Sequence, residues 1–224
     1  MAGWRPQAVV FDCDGTLADT EPLADLAWRE ALAEFGYEAT DEDFRRVIGH
    51  PYPTTFAYFA ARAPLGDADE FRPRVRGRFQ QLLDERLVLH EDAEATLHAL
   101  AADGVPIAVA SSSSRDHVLR ILDRGGIASL VQAVVGADDV TEHKPAPEPY
   151  LAAVAALRQE PAACAAIEDT PVGIDAARSA GLYTVGVLRG SFDRVQLGAA
   201  HRVVERITPA SLCHGRHATG PERA

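Results

Sequence analysis

Two aspartates directly after a short apolar run are the first residues whose spacing suggests chemistry. Asp12 and Asp14 follow the segment 7–11, and residues two apart on an extended strand point to the same side. Carboxylates held close together suit a hard divalent cation, with magnesium favoured by all-oxygen ligands. Near such a cation one aspartate can attack phosphorus, and the other can protonate the leaving group and then deprotonate a water. Taken alone, the pair also fits a turn, because Asp and Gly favour turns for backbone reasons.

Three further groups of polar residues follow later apolar runs. They are the serines at 111–114, the lone lysine Lys144, and the pair Glu168 and Asp169. Because functional groups gather at the carboxyl ends of the strands in open α/β sheets, we expect these residues to converge with the two aspartates. Each group alone also fits a helix cap or a solvated charge. Together, a lysine and a serine beside several carboxylates suit a phosphoryl group and predict phosphoryl transfer through a covalent intermediate.

Alternating strand and helix patterns must position these residues. Apolar runs typical of buried parallel strands occur at 7–11, 106–110, 131–135, 163–167 and 183–188. Helical patterns follow at 91–103, 114–124, 148–157 and 171–180. This alternation predicts an α/β fold, with a parallel sheet that carries helices on both faces.

The segment 19–89 differs because it has helical patterns and no convincing strand. The patterns lie at 23–35, 41–48, 54–62 and 67–86. We therefore expect a core domain formed by 1–18 and 90–208, an inserted all-helical domain at 19–89, and a flexible tail at 209–224. The arginine-rich stretch 71–79 fits a solvated helix face better than a nucleic-acid patch, since acidic residues flank it.

Composition excludes several function classes. The net charge of −11 argues against binding to nucleic acid or to anionic membranes. The longest apolar run, 150–157, is far shorter than the roughly 18–20 residues that span a bilayer. Three scattered cysteines fit a reducing, cytoplasmic setting. The oligomeric state is not readable from the sequence, and a monomer is the default expectation.

Four motifs in order resemble those of the haloacid dehalogenase (HAD) superfamily. They read VVFDCDGTLADTEPL at 9–23, IAVASSSS at 107–114, HKPAPEPYLAA at 143–153 and AIEDTPVGIDAARSAG at 166–181. The resemblance covers about 7–205 and is to the members with a helical cap inserted after the first motif, the phosphoglycolate phosphatase and β-phosphoglucomutase type. It implies a Rossmann-like core, a Mg²⁺ cofactor and a small-molecule phosphate ester as substrate.

The resemblance also implies a role for individual residues. Asp12 would be the nucleophile and a metal ligand, and Asp14 would be the general acid and base that also lends its backbone carbonyl to the metal. Phosphate binding is implied for Ser111, Ser112 and Lys144, and metal binding for Asp169 with Glu168 beside it. An acid/base aspartate at position 14 excludes the dehalogenase branch that gives the superfamily its name.

Substrate choice is expected to depend on the cap and on the second motif. The candidates for specificity are Gly49, His50 and Tyr52 in the loop 47–52, and Ser113 and Arg115 in the core. The loop residues also fit a simple turn between helices.

The sequence thus predicts a Mg²⁺-dependent phosphatase that hydrolyses a small organic monoester, such as a sugar phosphate or a phosphoglycolate-like compound, through an aspartyl phosphate. A hexose-phosphate mutase is the alternative, although Ala24 stands where those mutases usually have a histidine. A non-catalytic binding module is a third possibility, disfavoured because every catalytic residue is present.

Overall fold

The computed structural model describes residues 4–47, 52–189 and 191–213. The chain forms two compact units. One consists of Met1–Ala18 together with Leu89–Ala224, and the other is the continuous segment Asp19–Val88. We refer to them as the sheet unit and the helical unit.

The sheet unit contains a six-stranded parallel sheet. Its strands are β1 (Ala8–Phe11), β2 (Ile107–Ala110), β3 (Ala133–Val135), β4 (Cys164–Glu168), β5 (Tyr183–Val187) and β6 (Arg202–Val204). The strand order is β3-β2-β1-β4-β5-β6, and every neighbouring pair is parallel. The predicted α/β fold class is confirmed. The sequence analysis missed β6, which has three residues and whose first, Arg202, is exposed.

Four α-helices belong to the sheet unit. They are α5 (Glu91–Ala102), α6 (Arg115–Arg124), α7 (Glu148–Ala156) and α8 (Pro171–Ser179). Alternate residues of β1, β2 and β4, such as Val10, pack with α7 and α8 in one apolar cluster. Their neighbours, such as Val9, are equally buried and face the opposite side, where right-handed crossovers carry α5 and α6. Burial on both faces explains why these strands read as continuous apolar runs.

The helical unit contains the other four α-helices. They are α1 (Glu21–Ala33), α2 (Asp41–Val47), α3 (Tyr52–Ala60) and α4 (Ala68–Arg86). Its core is aromatic: the ring centroids of Phe59 and Phe71 lie 5.5 and 5.8 Å from that of Trp28. The helix α4 continues through Pro73, although proline has no N–H and one backbone hydrogen bond is therefore lost. Packing of α4 against α1 offsets this cost. Among the described residues, no helix is both long and apolar enough to cross a membrane.

The first five residues of the expected flexible tail, 209–213, are described by the structure. Pro209–Leu212 forms a short 3₁₀ helix in which the Ser211 backbone N–H donates to Thr208 Oγ1 at 3.2 Å. Leu212 is fully buried, so its apolar side chain ties this turn to the sheet unit. Residues 209–213 are thus packed on the sheet unit, and the remainder of the expected tail, 214–224, lies outside the described residues.

Candidate active site

The site lies where the strand order reverses. β1 is flanked by β2 on one side and β4 on the other, with Phe11 opposite both Val109 and Ile167. The Asp12 backbone N–H continues the ladder by donating to the Ile167 carbonyl at 3.0 Å. The residues that follow these three strands therefore meet at one edge, the usual position of a ligand site in an open α/β sheet.

Lys144 connects three of the strand ends. Its Nζ donates to Asp12 Oδ1 at 2.6 Å, to Glu168 Oε1 at 2.6 Å and to the Ala110 carbonyl at 3.0 Å. The side chain is only 3% exposed. Each of the three ammonium hydrogens therefore has an acceptor inside the protein, and these three bonds hold the Lys144 charge in place.

Three buried carboxylates lie close together at this edge. Asp12, Glu168 and Asp169 each offer a carboxylate oxygen within 4.8 Å of the others, and Lys144 is bonded to Asp12 and Glu168. Burial raises the pKa of Asp12 well above its usual value, and the charge of Glu168 adds to this effect. Burial alone would lower the pKa of Lys144, but Asp12 and Glu168 outweigh it and raise that pKa. The neighbouring carboxylates therefore contribute to both pKa shifts, after burial in the case of Asp12, and a cation beside them would reduce that contribution.

Glu168 is fully buried and bonded at both oxygens. Oε1 accepts from Lys144 and from the Tyr150 hydroxyl at 2.8 Å. Oε2 accepts from the Thr170 hydroxyl at 3.0 Å and from the backbone N–H groups of Asp169 and Thr170, each at 3.2 Å. The helix α8 begins against it: a Cβ on Gly173 would stand 1.7 Å from Oε1, so only glycine fits there. These bonds orient the Glu168 carboxylate so that Oε1 accepts from Lys144.

Asp169 lies against the turn that follows β1. Its Oδ1 accepts from the Thr16 hydroxyl at 2.9 Å. Its Oδ2 faces Gly15, whose backbone has φ +80°. Asp169 is therefore oriented by the first motif, although the two lie far apart in sequence.

Asp14 occupies a different part of the site. Its Oδ2 accepts from the Ser113 hydroxyl at 2.8 Å and lies 3.5 Å from the Ser111 hydroxyl. Its Oδ1 lies 2.9 Å from Nε2 of His117, in the first turns of α6. Ser111 in turn accepts from the Ser113 backbone N–H at 3.0 Å. The second motif thus orients the Asp14 carboxylate on both sides.

The structure brings together most of the sequence-predicted residues. Those that meet at the sheet edge are Asp12, Asp14, Ser111, Ser113, Lys144, Glu168 and Asp169. Ser112 is exposed beside them.

Of the four remaining specificity candidates, Arg115 is the one that the sheet unit contains, and it is not part of this cluster. Arg115 turns away, because its guanidinium donates to the Val134 carbonyl at 2.5 Å and to Asp139 at 3.0 Å. Gly49 and His50 lie outside the described residues. The last candidate, Tyr52, belongs to the helical unit, where its hydroxyl donates to the Ala68 carbonyl at 2.8 Å.

Sequence reasoning missed two members of the site, His117 and Tyr150, whereas a third, Thr170, lies in the fourth motif directly after Glu168 and Asp169. Tyr150 sits in an apolar run typical of a buried helix, and its contact with Glu168 depends on how α7 packs. His117 follows the serine run by one helical turn, which is the only local signal that it faces the same edge. Thr170 also caps α8 by accepting from the Gly173 backbone N–H at 3.0 Å, a role its sequence position indicates.

Comparison with known proteins agrees with this fold. Residues 9–187 match the model of the haloacid dehalogenase-like hydrolase family, and the chain belongs to that family. It is 32% identical over 209 residues to the validoxylamine A 7'-phosphate phosphatase of Streptomyces hygroscopicus subsp. limoneus, covering 93% of this chain and 97% of that one. It is 31% identical over 199 residues to the fructose-1-phosphate phosphatase YqaB of Escherichia coli, covering 82% and 97%. A similar crystal structure, of a HAD family hydrolase from Deinococcus radiodurans with bound phosphate and sodium, has a TM-score of 0.77, 28% identity and coverage of 95% and 94%.

Proposed function

We propose that this phosphoric monoester hydrolase of the HAD-like family uses Mg²⁺ and an aspartyl phosphate on Asp12 to release phosphate from a small organic ester. One observation carries the proposal. Lys144 Nζ lies 2.6 Å from both Asp12 and Glu168, with Asp169 in reach of the same point, at the switch point of the parallel sheet.

The donor set fits Mg²⁺. Asp12 and Asp169 offer carboxylate oxygens, and the backbone carbonyl of Asp14 is the third protein ligand in the proposal, so all ligands are hard oxygen atoms. The excess negative charge around Asp12 supplies the electrostatic reason for a divalent cation there. When bound, Mg²⁺ neutralises the substrate phosphate and the developing charge at phosphorus.

The first half of the reaction forms the covalent intermediate. Lys144 holds Oδ1 of Asp12, and the other carboxylate oxygen attacks phosphorus. As the bond from Asp12 to phosphorus forms, the bond from phosphorus to the leaving oxygen breaks. Asp14 donates its proton to that oxygen, so the product leaves as an alcohol.

The second half returns the enzyme to its starting state. Asp14, now a carboxylate, accepts a proton from a water that attacks phosphorus. The bond from phosphorus to Asp12 breaks, and inorganic phosphate and the free Asp12 carboxylate result. In this proposal the Ser111 hydroxyl binds a phosphoryl oxygen, and Lys144 does the same by giving up one of its three bonds within the protein.

Four residues position this machinery without touching phosphorus. Glu168 aligns Lys144, and the Tyr150 hydroxyl aligns Glu168 from the buried side. His117 and Ser113 set the direction of the Asp14 carboxylate. We propose that the helical unit acts as a cap and selects the ester. Tyr52 is one of the residues to which we assign this selection.

Sugar phosphates are the substrate class that we propose, because both relatives named above are by name phosphatases of small organic phosphates, one of them fructose 1-phosphate. The test is phosphate release from a panel of sugar phosphates, phosphoglycolate and p-nitrophenyl phosphate, with Mg²⁺ or with a chelator. The proposal expects Mg²⁺-dependent release from at least one ester. Conversion of a hexose phosphate to its isomer without phosphate release would instead identify a mutase, and no turnover of any ester would count against an enzyme of this kind.

A further inference from the structure

A buried ion pair lies beside the first motif and has no part in the reaction steps above. Its members are Arg189, two residues after β5, and Asp92, in the first turn of α5, with side chains 11% and 6% exposed. Arg189 Nη2 lies 3.0 Å from Asp92 Oδ1, and Nη1 lies 3.3 Å from Oδ2. The guanidinium therefore binds both carboxylate oxygens at once. Both residues belong to the sheet unit.

The two charges of this pair cancel. Burial alone would raise the pKa of Asp92, but the hydrogen bonds from Arg189 and from the Ile207 backbone N–H outweigh it and lower that pKa. The Ile207 N–H donates to Oδ2 at 2.7 Å. Because Asp92 is held ionised and arginine side chains stay protonated in proteins, the pair is a neutral unit with a fixed direction.

Stability alone does not explain why an arginine is buried here. The Arg189 Nε atom is buried and has no hydrogen-bond partner in the part of the chain that the structure describes. A buried donor without a partner costs free energy, and apolar side chains of similar volume are often as stabilising as a buried ion pair. The position therefore points to a role that an apolar side chain could not fill.

A hydrogen bond to the first motif supplies such a role. Arg189 Nη2 also donates to the Thr16 carbonyl at 3.4 Å. The Thr16 hydroxyl in turn donates to Asp169 Oδ1 at 2.9 Å, and Thr16 is fully buried. Thr16 is thus held at its carbonyl by Arg189, while its hydroxyl holds Asp169. A continuous series of hydrogen bonds leads from Asp92 to the Asp169 carboxylate.

We propose that Arg189 is a positioning residue for Asp169, the Mg²⁺ ligand of the fourth motif, and that it acts through Thr16. Asp92 orients the guanidinium and cancels its charge, so that Arg189 does not repel a cation bound at Asp169. Residues that orient a metal ligand typically contribute roughly 10–100-fold to metal affinity. The inference rests on the Mg²⁺ site of the proposed function, but not on the aspartyl phosphate or on the identity of the ester.

The test is calorimetric titration of Mg²⁺ into metal-free protein without substrate. Arg189→Gln/Asp92→Asn removes one charge of each sign, so the net charge of the protein does not change. Arg194→Gln/Glu205→Gln is the matched control, because Arg194 donates to the Val203 carbonyl at 2.8 Å and lies 3.7 Å from Glu205. We expect the dissociation constant for Mg²⁺ to rise at least roughly tenfold in the first variant and to stay within about twofold of the wild type in the second.

Thr16→Val shows whether Arg189 acts through Thr16. This variant lacks the hydroxyl that donates to Asp169, and its own dissociation constant for Mg²⁺ should rise roughly tenfold. Adding Arg189→Gln/Asp92→Asn to Thr16→Val should then raise the constant by less than about threefold, because the series of hydrogen bonds is already broken. A general structural effect of the buried pair would instead multiply with the effect of Thr16→Val.

Circular dichroism checks that each variant folds. If Arg189→Gln/Asp92→Asn is unfolded, Arg189→Lys takes its place. A lysine keeps the charge opposite Asp92 but lacks the planar fork that reaches both Asp92 and Thr16, so the same weakening of Mg²⁺ binding is expected.

Three results would overturn the proposal. They are unchanged Mg²⁺ affinity in folded Arg189→Gln/Asp92→Asn, an equal loss in the control variant, and losses that multiply fully with that of Thr16→Val. A wild type that binds no Mg²⁺ would overturn it together with the metal site of the proposed function. A wild type that binds Mg²⁺ but releases no phosphate would contradict the proposed function alone, because the calorimetric results do not depend on turnover.

Discussion

Gly15 approaches Asp169 so closely that a Cβ at Gly15 would stand 2.3 Å from Asp169 Oδ2. The turn after β1 and the residue after β4 are thus fitted to each other. Gly15 has φ +80°, a conformation that side chains with a Cβ rarely adopt, so glycine is required here for two separate reasons.

Gly15→Ala should therefore displace the Asp169 carboxylate and abolish Mg²⁺-dependent hydrolysis. The matched control is Gly104→Ala, which has φ +70° and no atom within 4 Å of the added Cβ. Both variants should lose about 1–2 kcal/mol of unfolding free energy from backbone strain. Only Gly15→Ala should lose activity and Mg²⁺ binding, as measured by phosphate release and calorimetry. Equal activity in the two variants would contradict the assigned role of Asp169.

Lys144 compensates two buried carboxylates, so removing its charge should be costly. Lys144→Met should lower the unfolding free energy by about 3–5 kcal/mol, because Asp12 and Glu168 are left uncompensated. The double variant Lys144→Met/Glu168→Gln removes one of those charges and should recover part of the loss. Urea unfolding measures both. If the stability loss of the double variant equals the sum of the losses in Lys144→Met and in Glu168→Gln, then Lys144 and Glu168 do not interact energetically.

Much of this site could be predicted from the sequence because strand ends of a parallel sheet converge by topology. The apolar runs locate β1, β2 and β4. Because these strands are parallel neighbours, the polar residues that follow each run lie together at one edge of the sheet. The same reasoning fails for β6, since Arg202–Val204 is too short and too exposed to produce an apolar run.

Side-chain direction could not be predicted in the same way. Arg115 and His117 both lie within three residues of the serine run. The Arg115 guanidinium nevertheless turns toward Asp139, whereas His117 faces Asp14. Both lie on α6, two residues apart, and therefore on different faces of the helix. The contact of Tyr150 with Glu168 likewise depends on the packing of α7 rather than on any local pattern.

The helical unit should lose stability in acid through Asp43. The backbone N–H and hydroxyl of Thr40 donate to this carboxylate at 2.8 and 2.7 Å, and the bond from the Thr40 N–H contributes most to a pKa lowered to about 2. A carboxyl group with a lowered pKa stabilises the fold above its unfolded value, near 4, and this contribution is lost as the pH falls toward the folded value. Between pH 5 and pH 2 the loss should be about 2 kcal/mol.

Asp43→Asn is the control for that pH dependence. The variant lacks the titrating group, so its unfolding free energy should change less than that of the wild type over the same pH range. Urea unfolding at several pH values, followed by circular dichroism, provides the comparison. Identical pH profiles would show that Asp43 does not contribute to acid sensitivity.

His117 should affect catalysis through the orientation of Asp14. In His117→Ala, kcat for a sugar phosphate should fall roughly tenfold, a part of the usual contribution of a general acid, with little change in KM. His117→Gln offers an amide near the position of Nε2 and should restore most of the rate. The effect should be smaller for p-nitrophenyl phosphate, whose leaving group needs little protonation. Equal losses for both substrates would indicate a structural role only.

The covalent intermediate on Asp12 is the central claim, and trapping it is the most direct test. The substrate found in the panel is mixed with enzyme and Mg²⁺, quenched in acid within a single turnover, and the peptides are examined by mass spectrometry. Asp103→Asn, an exposed aspartate at the end of α5, serves as the matched control for Asp12→Asn. The account predicts one phosphoryl group on the peptide containing Asp12 in the wild type and in Asp103→Asn, and neither phosphoryl group nor phosphate release in Asp12→Asn. Phosphate release that survives in Asp12→Asn, or a phosphoryl group on another residue, would contradict it.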